Sequence, residues 1–240
     1  MRLAVLSDIH SNAPALEAAL EAVGAYDQLW VLGDIVGYGP HPDAVVEQLR
    51  AADAIAVQGN HDAAVLGRIP TGTFNDLARA AVRWTAETMK PDNLDWLAEL
   101  PETRVEGDFT LAHGSPRDPI WEYLFSIPAA RINLGAFDTP YCIVGHTHHQ
   151  LTFRDDKGQV EALLAEQGGT LTLDERRCIL NPGSVGQPRD GDPRACAMTI
   201  ETDDGRVEWL RFDYDIKATQ AAMRATLLPR RLADRLETGV

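Results

Sequence analysis

Apolar residues come in short runs over the first quarter of the chain, and each run is closed by polar residues. Leu3 to Leu6 is followed by Ser7-Asp8, Leu29 to Leu32 by Gly33-Asp34, and Ala54 to Val57 by Gly59-Asn60-His61-Asp62. Unbroken apolar runs of this length predict strands covered on both faces. Between them the period lengthens. Leu16, Ala19, Leu20 and Val23 follow Asn12 and Pro14 at helical spacing and stop at Gly24, and Val45, Val46 and Leu49 line a second helix over Pro42 to Arg50. Strand–helix alternation with short connections predicts parallel β-α-β units.

The pattern then changes. Asp76 to Met89 and Pro91 to Leu100 predict two helices in succession. Phe109 to Ala112 is a strand ending at His113, and Tyr141 to Val144 one ending at Gly145-His146-Thr147-His148. From Leu151 onward the chain has β character. Leu151 to Phe153 leads to the turn Asp156-Lys157-Gly158, and Leu171 to Leu173, Cys178 to Leu180, Ala195 to Ile200 and Val207 to Phe212 follow. Asp204-Gly205 marks a hairpin between the last two. Ala218 to Leu227 predicts a terminal helix, and the charged, weakly patterned residues 228–240 are expected to fray. Ser115 to Pro140, rich in Pro and aromatics, predicts a long irregular segment of the kind that forms lids and binding loops; core filling is the other reading of Trp121 to Phe125. With no repeat or linker, residues 1–240 read as a single domain.

Charge narrows the partners. With 22 Lys and Arg against 36 Asp and Glu, the formal net charge is −14. Such a surface repels nucleic-acid backbones and anionic membranes, but bound cations can reverse the sign inside one pocket. The charge therefore argues against an extended nucleic-acid interface and a membrane partner, and does not exclude a small phosphorylated molecule, nucleotide-derived ones included. Cys142, Cys178 and Cys196 show no Cys-x-x-Cys spacing and read as buried small side chains in a reducing cytoplasm. The apolar stretch at the N-terminus is too short for a signal segment and runs into Asp8 and His10.

Metal-capable side chains fall at the predicted strand ends. Asp8, His10, Asp34, Asn60, His61, His113, His146 and His148 sit at five of them. Ligands in open α/β sheets bind outside the carboxyl ends of the strands, where parallel pairing gathers distant residues. Taken singly, Asp8-x-His10 or Gly33-Asp34 is an ordinary turn, and Asn60 or Asp62 an ordinary helix cap. Together, in a chain with seven histidines, they point to a metal site. The donors are nitrogen and oxygen without thiolate, which suits catalytic Mn, Fe, Zn or Ni rather than structural zinc. They outnumber what one ion needs, and a carboxylate such as Asp34 can bridge two.

The series Asp8-x-His10, Gly33-Asp34, Gly59-Asn60-His61-Asp62, His113 and Gly145-His146-x-His148 resembles the calcineurin-like metallophosphoesterases. Asn181-Pro182-Gly183-Ser184 is similar to the small bacterial and archaeal, phosphodiesterase-like members. The resemblance implies a four-layer α/β/β/α sandwich of two mixed sheets flanked by helices. It implies two divalent ions: Asp8, His10 and His148 hold the first, Asp34 bridges, and Asn60, His113 and His146 hold the second. It implies that a metal-bridging hydroxide attacks a phosphomono- or phosphodiester in line. His61 stands near the leaving group as general acid or as a stabiliser of the transition state, and Asp62 either orients His61 or caps a helix. His41 and His149 match no ligand position.

The chain departs from the family's protein phosphatases and diadenosine tetraphosphatases. Their phosphate-binding arginine after Gly-Asp is replaced by Tyr38, and Ala63 and Ala64 follow Asp62 where another arginine is expected. Tyr38 is then a candidate to stack on a leaving group or nucleobase, or simply a surface turn residue. Arg189, in the loop after Gly183-Ser184, is a candidate replacement for the missing arginines, or else the partner of Asp190 or Asp192. A dinucleoside polyphosphate hydrolase and a protein phosphatase remain as rival activities, and a non-catalytic scaffold, the role of one retromer subunit, ranks below them.

Overall fold

The first three apolar runs become β1 (Arg2–Leu6), β2 (Gln28–Val31) and β3 (Ile55–Ala56), with α1 (Ala13–Val23) and α2 (Pro42–Ala51) between them. This is a computed structural model, and it describes residues 1–164 and 168–240. The Asn12 side chain caps α1 by accepting from the Ala15 N–H (3.3 Å), and Gly24 ends it at φ 68; such a cap contributes about 1 kcal/mol. Then come α3 (Asn60–Val65), α4 (Asp76–Thr88), α5 (Pro91–Glu99), β4 (Thr103–Glu106), β5 (Phe109–Ala112), α6 (Ile127–Asn133) and β6 (Tyr141–Ile143). The β-rich part holds β7 (Gln150–Asp156), β8 (Gln159–Leu164), β9 (Thr170–Thr172), β10 (Cys178–Pro182), β11 (Ala195–Glu201) and β12 (Arg206–Phe212), before α7 (Ile216–Arg224) and α8 (Arg230–Asp234).

The described strands form two six-stranded sheets, ordered β3-β2-β1-β11-β12-β9 and β4-β5-β6-β10-β7-β8. Both are mixed. β1, β2 and β3 run parallel, as do β5, β6 and β10, and the other pairs are antiparallel. Leu3 and Val5 point between the sheets, while Ala4 and Leu6 point to the helices. That is why β1 reads as a continuous apolar run: both faces are buried. A third apolar cluster, with Phe153, Cys142 and Leu134, packs α6 on the outer face of the second sheet. The four-layer sandwich expected from the sequence is therefore the observed architecture.

Four strips of chain differ from expectation. Residues 228–240 do not fray: they form α8 and a short 3-10 turn, with Leu232 and Leu236 buried in the helix-side core. Two turns of helix are too short to display a periodic signal, yet long enough to cover α7. β4 and β8, missed in the pattern, are edge strands exposed along most of their length, so they carry no apolar alternation. The segment Ser115 to Pro140 is not wholly irregular, since Ser126 caps α6 within it.

Candidate metal centre

Every predicted ligand lands on one edge of the sandwich. Asp8 and His10 follow β1, Asp34 follows β2, Asn60 opens α3 just after β3, His113 follows β5, and His146 and His148 follow β6. All seven are buried, Asn60 the least so at 4% exposed. The loops reach inward on strained backbone: Asp8, His10, Asp34, His146 and His148 all have φ between 49 and 65. Non-glycine residues enter that region only when the surroundings hold them there. Close backbone approach helps. A Cβ on Gly59 would lie 2.2 Å from the Asp34 carboxylate, and one on Gly145 would lie 2.0 Å from Ser7 Oγ.

Hydrogen bonds set the tautomers. His10 Nδ1 lies 3.2 Å from the Val36 carbonyl and His113 Nδ1 2.7 Å from that of Leu32, while His148 Nδ1 pairs with the Gln187 carbonyl. A carbonyl only accepts, so each Nδ1 carries a hydrogen and each ring turns its Nε2 inward, bare wherever the ring is neutral. There the rings meet other acceptors. His10 Nε2 is 3.3 Å from His148 Nε2, His113 Nε2 is 3.1 Å from both Asn60 Oδ1 and His146 Nδ1, and His148 Nε2 is 3.2 Å from Asp8 Oδ1. Asp34 Oδ2 lies 3.6 Å from His10 Nε2 and 3.4 Å from His113 Nε2. Asp8 Oδ1 and His146 Nε2 are buried without a hydrogen-bond partner.

Lone pairs facing lone pairs at these distances repel unless a cation lies among them. Ligand atoms bound to one ion at about 2.0–2.2 Å stand roughly 3–3.5 Å apart, which is the spacing found. The donor atoms form three groups, Asp8–His10–His148, His10–Asp34–His61 and Asp34–His113–His146, each within 4.8 Å. The residues thus fit divalent metal.

Electrostatics agree with that use. Burial drives the imidazoles towards neutrality, holding His10 and His148 below the usual range and taking His146 down to about 3. Burial alone would raise both carboxyls, but His148 keeps Asp8, and His113 keeps Asp34, well below the ordinary carboxylate range. His113 is the exception among the rings: burial opposes its charge, yet Asp34 carries it up to about 9. A proton there balances the two carboxylates in place of a cation.

Comparison with known proteins identifies the frame. Residues 1–205 match the calcineurin-like phosphoesterase superfamily domain. The chain belongs to that superfamily. A metallophosphoesterase from Sphaerobacter thermophilus is 47% identical and superposes with a TM-score of 0.92 over 100% of this chain and 99% of that one. The uncharacterized protein MJ0912 of Methanocaldococcus jannaschii is 36% identical over 99% of this chain and 98% of its own length. A symmetrical bis(5'-nucleosyl)-tetraphosphatase of Dechloromonas aromatica is 31% identical over 45% of this chain and 41% of its own.

Within this calcineurin-like frame the remaining predicted residues separate. Asp62 does not touch His61 as a hydrogen-bond partner. Its carboxylate accepts from the N–H groups of Gly59 (3.0 Å), Val36 (3.0 Å) and Ile35 (3.3 Å), capping α3 and tying it to the Asp34 loop. Of the two roles expected for Asp62, orienting His61 or capping a helix, these contacts correspond to the cap. His61 N–H donates to Asp34 Oδ1 (2.8 Å), while His61 Nδ1 is buried without a partner. Tyr38 is 5% exposed, not a surface turn residue, and packs against His61 and His10 with ring centroids 4.3 and 4.8 Å away. Arg189 is not paired with Asp190 or Asp192, which bind Arg211 and Arg194 instead. Its guanidinium bonds Gln187 (2.8 Å) and lies 5.7 Å from the Tyr38 ring centroid. His41 and His149 stay outside the donor groups.

A cavity of about 120 Å³ opens onto this site, lined by Asp34, His61, His146 and Arg189 together with Phe74, Trp121 and Tyr123. A larger cavity, about 530 Å³, lies at the other end of the strands beside Trp30, Phe109 and Tyr141, far from every ligand residue and without a histidine. Two sets of site residues were not legible as such. Asn181 Nδ2 donates to the Gly145 carbonyl (2.8 Å) and Thr147 Oγ1 (3.0 Å), and Ser184 Oγ donates to the Asp8 carbonyl (2.8 Å). The Asn-Pro-Gly-Ser loop is thus the brace between two ligand loops. Phe74 carried no signal, lying between helices and outside the motifs at the strand ends.

Proposed function

We propose that this calcineurin-like protein hydrolyses phosphate esters at two divalent cations. Asp8, His10 and His148 hold one, Asn60, His113 and His146 hold the other, and Asp34 lies between. One observation supports this above all: Asp34 belongs to donor groups on both sides, with His10 and with His113, and an imidazole Nε2 faces it from each. Such ions supply hydroxide near neutral pH and neutralise phosphoryl charge.

The rest falls to the chain's own side chains. Arg189 offers a guanidinium free of any carboxylate among the described residues, suited to two phosphoryl oxygens at once. His61 stands beside Asp34 at the cavity wall. Burial pushes it down to about 4, so it is neutral at pH 7. A neutral ring donates an N–H hydrogen bond to the leaving oxygen, and an arriving phosphoryl anion strengthens its hold on a proton. Phe74, Trp121 and the loop around them keep the cavity narrow and limit water. A cytoplasmic setting is part of this proposal, supported by three free, buried cysteines.

The test is a hydrolysis screen of the protein reconstituted with Mn, Fe, Zn or Ni, run beside elemental analysis. Phosphomonoesters, phosphodiesters and diadenosine tetraphosphate form the panel. The last is included because bis(5'-nucleosyl)-tetraphosphatases share part of this chain. The expected result is about two equivalents of metal and metal-dependent turnover of an ester. Full metal loading with no turnover of any member would sink the enzyme reading and favour a scaffold.

A further inference from the structure

Large apolar side chains left exposed are few away from the chain ends, and half of those among the described residues lie within one short stretch. They are Tyr123 (47%), Phe125 (54%), Ile127 (38%) and Ile132 (56%). The stretch begins at the mouth of the metal cavity, where Trp121 and Tyr123 are lining residues. Exposed apolar patches of this kind mark binding surfaces.

The rings are arranged in order. Tyr123 lies on the His146 ring with centroids 3.8 Å apart and planes 23° apart. Phe125 lies parallel to Tyr123, at 5.9 Å and 9°. On the other wall Trp121 meets Phe74 edge to face at 5.1 Å, and Phe74 meets His61 in the same way at 5.1 Å. The loop that carries these rings is held in place: Glu122 accepts from Ser115 Oγ (2.6 Å), Asn133 Nδ2 (2.9 Å) and Arg117 Nη2 (3.2 Å), fastening it to α6. Rings that serve only as greasy cover have no need to lie parallel or to be braced. Parallel, pre-set rings favour a flat partner over a puckered one, because π faces gain from stacking beyond the area they cover.

We infer that Tyr123 and Phe125, with Trp121 on the opposite wall, form a stacking site for a planar aromatic group of the substrate, an aryl ring or a nucleobase, whose phosphate reaches Arg189 and the metal ligands. The inference rests on the phosphoesterase reading for the position of the phosphate. It adds the substrate class: esters carrying a planar aromatic group, preferred over aliphatic esters of equal charge.

The experiment uses non-hydrolysable probes, so it does not depend on turnover. Phenylphosphonate and cyclohexylphosphonate match in charge and nearly in size, but one is flat and the other puckered and more apolar. Their Kd values are measured by calorimetry on the full, Mn-loaded chain. The platform predicts phenylphosphonate to bind about tenfold tighter. Burial of apolar area alone predicts the reverse. In Trp121→Leu and Phe125→Leu, which keep apolar bulk and lose the flat face, the preference falls towards one. A thymidine 5'-phosphonate separates the sources: tighter binding than phenylphosphonate assigns a nucleobase, and weaker binding assigns a simple aryl group. Equal or reversed affinities, absence of binding by both phosphonates, or an unchanged preference in the leucine variants would overturn the platform. An inactive protein that still prefers the flat probe would instead overturn the hydrolase reading and leave the platform standing.

Discussion

At the residue scale the centre is decided by which atoms lack hydrogens. Backbone carbonyls occupy Nδ1 of His10, His113 and His148, so three Nε2 atoms converge on Asp8 and Asp34, bare on His10 and His148 and protonated on His113. His113 alone is held protonated, up to about 9, while the other ligand rings are already neutral at pH 7. Metal must displace that proton. Below about pH 9 the proton competes with the cation, so apparent metal affinity should rise about tenfold per pH unit between pH 7 and 9, then level off. Calorimetry in buffers of different ionisation enthalpy should count about one proton released per molecule at pH 7.5; none released would show that His113 is neutral before metal arrives. His61 is the other decisive residue. His61→Ala should lower kcat by about 10²–10⁴-fold while elemental analysis still finds both metals. Metal lost together with activity would make His61 a ligand instead, a role its place beside His10 and Asp34 also permits geometrically.

At the element scale the ligands depend on loops that do not carry them. Asp62 gathers three N–H groups from two loops, and Asn181 and Ser184 reach from the end of β10 to the loops after β6 and β1. Removing one such brace leaves buried polar groups unpaired. Asn181→Ala should cost about 1–3 kcal/mol in denaturant unfolding and weaken metal binding about 10–100-fold, read by chelator competition. An unchanged metal affinity would reduce the brace to a fold element alone. Gly59 works by absence: its missing side chain lets Asp34 sit against the start of α3. Gly59→Ala should push the Asp34 carboxylate aside and destabilise the fold by about 1–3 kcal/mol, with loss of metal at concentrations that saturate the parent protein. Retention of both metals would show that the two backbones separate easily.

At the scale of the whole molecule the two sheets bring β1, β2 and β3 and, from the other side, β5, β6 and β10 to a common edge, and the tail closes the helix layer. Leu228, Leu232 and Leu236 are each 6% exposed or less, and burying a leucine contributes about 1.5–3 kcal/mol. Gly191 N–H donates to the Gly239 carbonyl (2.9 Å), so the same tail also holds the loop that bears Arg189. Deleting residues 228–240 should therefore lower unfolding stability by several kcal/mol and raise KM more than it lowers kcat; a stable protein with unaltered KM would refute that link. Much of this organisation was legible in the residues. The apolar runs, the caps at Asn12 and Gly24 and the polar residues that close each strand act locally, so β1 to α2 and the seven ligand candidates could be read along the chain. What needed the fold were facts made of distance in space. Whether Asp62 meets His61 or the Asp34 loop, whether Arg189 finds an aspartate or an open cavity, and whether the last thirteen residues fray or pack depend on contacts between segments far apart in sequence, which no local pattern encodes. The chain's own spacing thus determined the strand ends and the chemistry placed on them, and only tertiary packing decided which groups they face, because desolvation and hydrogen bonding are settled by neighbours in space.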